Sequence, residues 1–291
     1  MKTMTQAASP TSSCPCLITA LSPSASIREA VKMHWREYLM EAAELAVLML
    51  AICLFGTLFY GNAAPLKHFG LSRSLRAALM GLAVATTTFL IIRSPFGRRT
   101  GAHFNPAITL TYFWLGRTHR WDALGYIAAQ FSGALAGVFV ARQILGFRLA
   151  AEPVQYVVTT PGTYGDFIAF VAEFALAGLL MSVVLFSTNN RTLARFSPWF
   201  VAAVTIFYYA GCASISGFSV NPARTFSSDF FAWVWWGVWI YFTAPCLGML
   251  TAAAIFIRVR GRERVYCAKV FHDLCTTCPF PCRFRRLYRE S

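Results

Sequence analysis

Long apolar runs alternate with short polar breaks along almost the whole chain. Apolar segments with helix-like composition fall near 38–60, 75–92, 121–145, 167–187, 197–213 and 234–257. Each is close to the roughly 20 residues a helix needs to cross the hydrocarbon core of a bilayer. Between the second and third runs, and again between the fifth and sixth, a shorter apolar stretch follows a repeated phrase: Gly101-Ala-His-Phe-Asn105-Pro106-Ala107-Ile-Thr-Leu and Gly217-Phe-Ser-Val-Asn221-Pro222-Ala223-Arg-Thr-Phe. Each phrase reads as a loop followed by Asn at a helix N-cap and Pro at the first helical position, where its missing N–H costs nothing. From Asn105 to the Gly116-Arg117 break is about ten residues, or roughly 15 Å of helix, half of a bilayer core of about 30 Å. The pattern predicts an all-α membrane protein with six spanning helices and two re-entrant half-helices. If the half-helices start at mid-depth and run to opposite faces, their positive ends and both Asn amides meet at one central point.

Composition strengthens this reading. The chain is 57% hydrophobic with 13% charged residues, and its mean hydropathy is +0.52, which excludes an ordinary soluble globule. A formal net charge of +14 raises nucleic-acid binding as a reading, but the positive residues sit at the ends of the apolar runs and in the tails. Positive-inside asymmetry explains them better, and no nucleic-acid partner is expected. With the N-terminus inside, the inner segments hold Arg28, Lys32, Arg36, Arg93, Arg98, Arg99, Arg117, Arg120, Arg191, Arg195 and the basic run from Arg258 to Arg289. The outer segments hold only Lys67, Arg73, Arg76, Arg142 and Arg148. Both termini are therefore expected on the cytoplasmic side of a plasma membrane or bacterial inner membrane. Residues 1–26 are rich in Ser, Thr, Ala and Pro without an apolar run of signal-peptide length, so a disordered tail, extending to about residue 34, is expected rather than a cleaved signal.

The two halves echo each other beyond the Asn-Pro-Ala phrase. Ala43-Glu44-Leu45 on the first run matches Ala172-Glu173-Phe174 on the fourth. Three spans per half is an odd number, so the second half enters the membrane upside down relative to the first. The longer interval in the first half fits a longer outer loop around Pro65 to Lys67 and an Arg-Ser-Pro-Phe-Gly-Arg-Arg insertion before the first motif.

On the paired Asn-Pro-Ala motifs, with Arg224 directly after the second, the chain resembles the aquaporin, or major intrinsic protein, family over roughly residues 38–258. The resemblance implies a right-handed bundle of six helices and two half-helices, a pore in every subunit, a homotetramer and no required cofactor. It divides the chain into a tail (1–34), a channel domain (35–260, with repeats about 38–145 and 166–258) and a basic Cys-rich tail (261–291). Asn105, Pro106, Ala107, Asn221, Pro222 and Ala223 become the pore centre, where amide N–H groups donate to a passing water and interrupt its proton wire. Arg224 maps to the outer constriction, with Phe218, Tyr209 and, across the insertion, Met80 at the remaining three places. Water-selective members resemble Phe, His, a small residue and Arg there, and glycerol conductors resemble Trp, Gly, Phe and Arg. This chain fits neither set: Phe218 is glycerol-like, whereas Tyr209 fills the space a Gly leaves open. Thr225, where glycerol conductors place Asp, and the pair Tyr241-Phe242 tip the balance toward water, with glycerol or another small neutral solute as the alternative. Asp229 is an oddity where a small residue is expected.

Glu44 and Glu173 are intramembrane acids, for which a proton relay is one reading and hydrogen-bonding to the re-entrant loops the stronger one. Ser132-Gly-Ala-Leu-Ala-Gly137 reads as a close-crossing helix face, and Trp233, Trp235, Trp236 and Trp239 as an interfacial belt. The last tail carries Cys267, His272, Cys275, Cys278 and Cys282 among basic residues. Soft ligands at this spacing suit zinc or another thiophilic metal, while palmitoylation or plain membrane-surface contact is the competing reading. Two remoter functions stay open: a secondary transporter, for which only Glu44 and Glu173 offer coupling acids, and a metal- or redox-gated pore. No catalytic constellation appears, so no enzyme is expected.

Overall fold

The computed structural model describes residues 17–62, 70–211, 213–272 and 275–288. Eleven α-helices follow one another among them: α1 (Ile27–Tyr60), α2 (Arg73–Arg93), α3 (Pro95–Thr100), α4 (Pro106–Trp114), α5 (Arg120–Leu145), α6 (Phe147–Ala150), α7 (Asp166–Thr188), α8 (Ser197–Gly211), α9 (Ala213–Ser216), α10 (Pro222–Ala232) and α11 (Val238–Arg260). Helices α1, α2, α5, α7 and α11 are long and apolar enough to cross a membrane. The sixth expected span is carried by α8, shorter at 15 residues, with α9 resuming just beyond Cys212. Pro65, Lys67 and Cys212 lie outside the described residues, as does most of the N-terminal tail.

Helix starts follow from local chemistry. Ser26 caps α1, and its backbone N–H donates in return to Glu29 at 2.7 Å, a reciprocal capping box. That box corrects the expectation of an unstructured tail to residue 34, since helix begins at Ile27. Ser72 caps α2, Ser94 caps α3 with Pro95 at its first position, and Asn105 and Asn221 cap α4 and α10.

Three pairings build the bundle: α1 runs parallel to α5 and α7 parallel to α11, while α2 runs antiparallel to α8. The first two depend on glycine. A Cβ at Gly133 would stand 2.1 Å from the Ala42 carbonyl oxygen, and one at Gly248 2.2 Å from that of Phe174, so both crossings bring backbones together as a small-residue face permits. The outer surface carries exposed Leu39, Val47, Leu82, Leu90, Phe139, Ile144, Leu179, Phe207 and Ile255, the belt a lipid-facing bundle presents. Trp233, Trp235, Trp236 and Trp239 are exposed around the start of α11, where an interfacial belt belongs.

Both tails lie at one end of the bundle. Thr19 N donates to Cys278 O at 2.9 Å and Cys278 N to Leu17 O at 2.8 Å. Helix α1 starts at this end. Helix α7 finishes there, because Asn189 beyond its last turn accepts from Tyr266 N at 2.8 Å. The second half therefore runs opposite to the first, as an odd number of spans requires.

Candidate functional site

The two Asn-Pro-Ala loops meet head to head inside the bundle. Asn105 Oδ1 accepts from Ala107 N at 2.9 Å, and Asn221 Oδ1 from Ala223 N at 3.1 Å and Arg224 N at 3.3 Å. Each side chain thus caps its own half-helix. Each amide also reaches across: Asn105 Nδ2 donates to Val220 O at 2.7 Å and Asn221 Nδ2 to Phe104 O at 2.8 Å. One N–H of each pair is used in this mutual tie, which leaves the second for the cavity both residues line. Helix α4 then runs toward the tail end, where Arg262 Nη1 donates to Trp114 O at 3.0 Å. Helix α10 runs the other way, so two helix N-termini, each with unsatisfied N–H groups and a partial positive charge, face one point.

The loops match residue for residue. At four, three and one places before each Asn the backbone takes positive φ: Gly101 at 95°, Ala102 at 55° and Phe104 at 28° in the first, Gly217 at 72°, Phe218 at 48° and Val220 at 46° in the second. Such angles strain non-glycine residues and persist only when their surroundings over-determine them. Here the surroundings are buried polar groups. In the second loop Glu173 accepts from Ser216 Oγ at 2.8 Å, Ser219 N at 3.0 Å and Val220 N at 2.7 Å. In the first the work is divided. Glu44 accepts from Thr100 Oγ1 at 2.7 Å, while Glu41, one turn earlier on α1, accepts from Phe104 N and from Gln130 Nε2. Tyr126 OH donates to Thr100 O at 2.9 Å and Tyr241 OH to Ser216 O at 2.7 Å, again in matching places.

Glu41 is the residue that sequence reasoning missed. Its signal was present, because Glu37, Glu41 and Glu44 share one helical face at i, i+4 and i+7. The outermost, Glu37, pairs with Arg99 at 2.8 Å, which anchors the insertion helix α3.

A cavity of about 80 Å³ lies at this centre. Asn105, Asn221, Arg224, Tyr209 and Phe218 line it together with apolar side chains including Leu48, Val84, Ile92 and Val184. Tyr209 and Phe218 stand edge to face with ring centroids 4.7 Å apart. Arg224 is 4% exposed, and its Nη1 is buried without a hydrogen-bond partner among the described residues. Met80 is buried one turn before Val84 on α2 and is not among the lining residues. Asp229 is fully buried on α10. Pro106, Ala107, Pro222 and Ala223 are buried in the first turns of the half-helices.

The C-terminal tail packs against the tail-side end of the cavity. Val270 N donates to Gly101 O at 2.9 Å, Ser197 Oγ to Val270 O at 2.5 Å, and His103 Nε2 bonds Ala268 O at 2.6 Å. Val270 itself lines the cavity. Further out, Cys267, His272, Cys278 and Cys282 bring their ligand atoms within 4.8 Å of one another. Cys275, counted with them from the sequence, is exposed and outside this group.

Fold and site together define a polytopic membrane protein built as an inverted repeat, with two re-entrant loops meeting at a central cavity. The chain matches the Major intrinsic protein family over residues 29–256 and belongs to that family. Among its relatives, Aquaporin NIP2-3 of Zea mays is 30% identical over 175 residues, 60% of this chain and 56% of that protein. The match thus spans little more than half of that relative's length. Aquaporin Z of Rhodopseudomonas palustris is 28% identical over 232 residues, 77% of this chain and 93% of that one. Among solved structures, the aquaglyceroporin from Plasmodium falciparum superposes with a TM-score of 0.65 at 20% identity, covering 79% of this chain and 98% of that chain. That likeness shows a common fold.

Proposed function

We propose that the protein is a passive channel for water. The observation that carries this reading is the convergence of Asn105, Asn221 and Arg224 on one cavity, at the meeting point of two half-helix N-termini. A water reaching the centre accepts hydrogen bonds from the free amide N–H of each Asn. Its own hydrogens then point away from the centre in both directions, and a continuous proton wire is broken. The facing helix dipoles and the Arg224 guanidinium add a positive barrier against protons and cations in a low-dielectric surround. An ionised side chain at membrane depth is costly unless it faces water or a partner, so an Arg224 Nη1 with no hydrogen-bond partner among the described residues, on a side chain that lines the cavity, fits a group that meets the permeant oxygen.

Tyr209 and Phe218 support water over larger solutes. Their edge-to-face contact places two rings beside Arg224, where a carbon backbone needs open space. Glu41, Glu44 and Glu173 serve as loop anchors, since each accepts donors from the strained loops. Both tails lie in the cytoplasm by the positive-inside argument, and the subunits assemble as a homotetramer. Stopped-flow light scattering on proteoliposomes tests the reading: water permeability should rise well above the protein-free lipid while glycerol stays at baseline. Glycerol flux comparable to that of water would replace it with a neutral-solute channel. Solute uptake that requires an ion gradient would replace it with a transporter.

A further inference from the structure

We propose that Cys267, His272, Cys278 and Cys282 form a site for zinc that locks the C-terminal tail as a plug in the cytoplasmic mouth of the pore. The site stands on the tail's geometry, and the plug rests also on the channel reading above.

The donor set is that of a structural zinc site, three thiols and one imidazole. A tetrahedron with zinc–sulfur bonds of about 2.3 Å and a zinc–nitrogen bond of about 2.0–2.1 Å has edges of about 3.5–3.8 Å. Cys267 Sγ and Cys278 Sγ are 3.5 Å apart, His272 Nε2 and Cys282 Sγ are 3.1 Å apart, and no pair in the group exceeds 4.8 Å. Shifts of about an ångström complete the polyhedron. The ring of His272 is already held, stacked on Phe284 with centroids 4.2 Å apart and planes 10° from parallel. Cys278 is held by the pairing with Leu17 and Thr19, and Cys267 lies next to Tyr266, whose N–H is bound by Asn189. Cys267 and Cys278 are buried while Cys282 and His272 are half-buried, which gives a closed site with one open edge for metal entry.

Zinc takes its sulfur ligands as thiolates, so binding displaces the protons that the thiols carry.

Val265 to Val270 are all at most 4% exposed, yet they form neither helix nor strand; hydrogen bonds between Tyr266 and Asn189, Ala268 and His103, and Val270 and Gly101 hold them. At the end of this stretch Val270 reaches the pore cavity, tied by Gly101 on one side and Ser197 on the other. The cysteines lie a few residues from that contact on both sides of the turn, so clamping them fixes Val270 in the mouth. Loss of the metal frees the segment.

The test uses the full chain, purified in detergent with an affinity tag that lacks histidine. Elemental analysis should find about one zinc per chain, falling about tenfold or more in Cys278→Ser and Cys282→Ser and unchanged in Cys275→Ser. Trypsin should cut the tail after a strong zinc chelator and spare it after zinc is restored, which reads plug seating without any need for conduction. In proteoliposomes, chelation or deletion of residues 262–291 should raise water permeability several-fold, with Cys282→Ser already at the raised level. Protein that stays metal-free after incubation with zinc, or a Cys267–Cys278 disulfide found by mass spectrometry, overturns the site. Zinc-bound protein whose tail is cut equally with and without metal overturns the plug. If no preparation conducts, the deletion included, the channel reading falls, and zinc content and proteolysis still decide this one.

Discussion

Glu173 and Glu44 look alike in the sequence, but they should respond unequally to loss of charge. Glu173 receives three donors, two of them backbone N–H groups of a strained loop. In Glu173→Gln the new amide can keep its oxygen toward Ser216 and Ser219, but its NH2 then faces the Val220 N–H, or the reverse. One buried backbone donor is left unmade either way, at about 1–3 kcal/mol, and the surviving bonds lose charge assistance of about 1 kcal/mol or less each. The expected cost is about 3 kcal/mol. Glu44 receives one donor, the Thr100 hydroxyl, which rotates to suit a Gln oxygen, so Glu44→Gln should cost less than about 1 kcal/mol. At about 2–4 °C per kcal/mol for a chain of this order of size, the two variants should differ in Tm by roughly 4–8 °C. Thermal unfolding followed by intrinsic tryptophan fluorescence in one detergent reads this difference. Equal shifts, or a larger one for Glu44→Gln, would refute the assignment of backbone anchoring to Glu173. Glu41→Gln should cost less than Glu173→Gln, since Phe104 N and Gln130 Nε2 both bond Oε1, which the Gln oxygen replaces.

Arg224→Ala should raise proton leak under a pH gradient while leaving water flux largely intact, since it removes a fixed charge without narrowing the cavity; unchanged proton conductance in vesicles counts against it. Tyr209→Gly should admit glycerol, because hydrogen in place of the ring leaves Phe218 as an apolar wall and Arg224 for hydroxyls, and glycerol uptake at the liposome baseline would place the constriction elsewhere. Gly133→Ala should destabilise the α1–α5 crossing by about 1–3 kcal/mol through overpacking, with Ser132→Ala on the exposed side near neutral; comparable Tm values for the two would show that the helices give way.

The legible part of this molecule was what short-range chemistry dictates. Asn followed by Pro announces a capped helix wherever it stands, and two copies at mid-membrane depth announce half-helices; α4 and α10 start where the motif places them. Glu173 was legible too, because an acid in an apolar run demands donors. Glu41 was not, since the donor it needs, Phe104 N, lies 63 residues away, and nothing in α1 tells which acid of the stripe will meet it. The tail was illegible for a related reason. It docks through its own carbonyls, at Ala268 and Val270, and a carbonyl carries no sequence signature. Spacing alone also grouped Cys275 with Cys278, where the folded chain groups Cys267, Cys278 and Cys282.

The two halves differ most tellingly two places before each Asn. In the second loop Ser219 bonds Thr225 Oγ1 at 2.5 Å, a contact that stays within the repeat. In the first the equivalent residue is His103, which bonds Thr109 Oγ1 at 3.1 Å through Nδ1 and still has Nε2 to spare. That second nitrogen takes Ala268 O, and the ring stacks on Phe280 with planes 6° apart. One substitution within an otherwise matched pair of loops thus turns a self-contained cap into a socket for the tail. The socket lies on the half-helix that runs toward the tail end, whereas the half-helix bearing Arg224 runs away from it. Arg224 and the socket for the tail therefore lie on opposite halves of the repeat, joined by the mutual tie of Asn105 and Asn221.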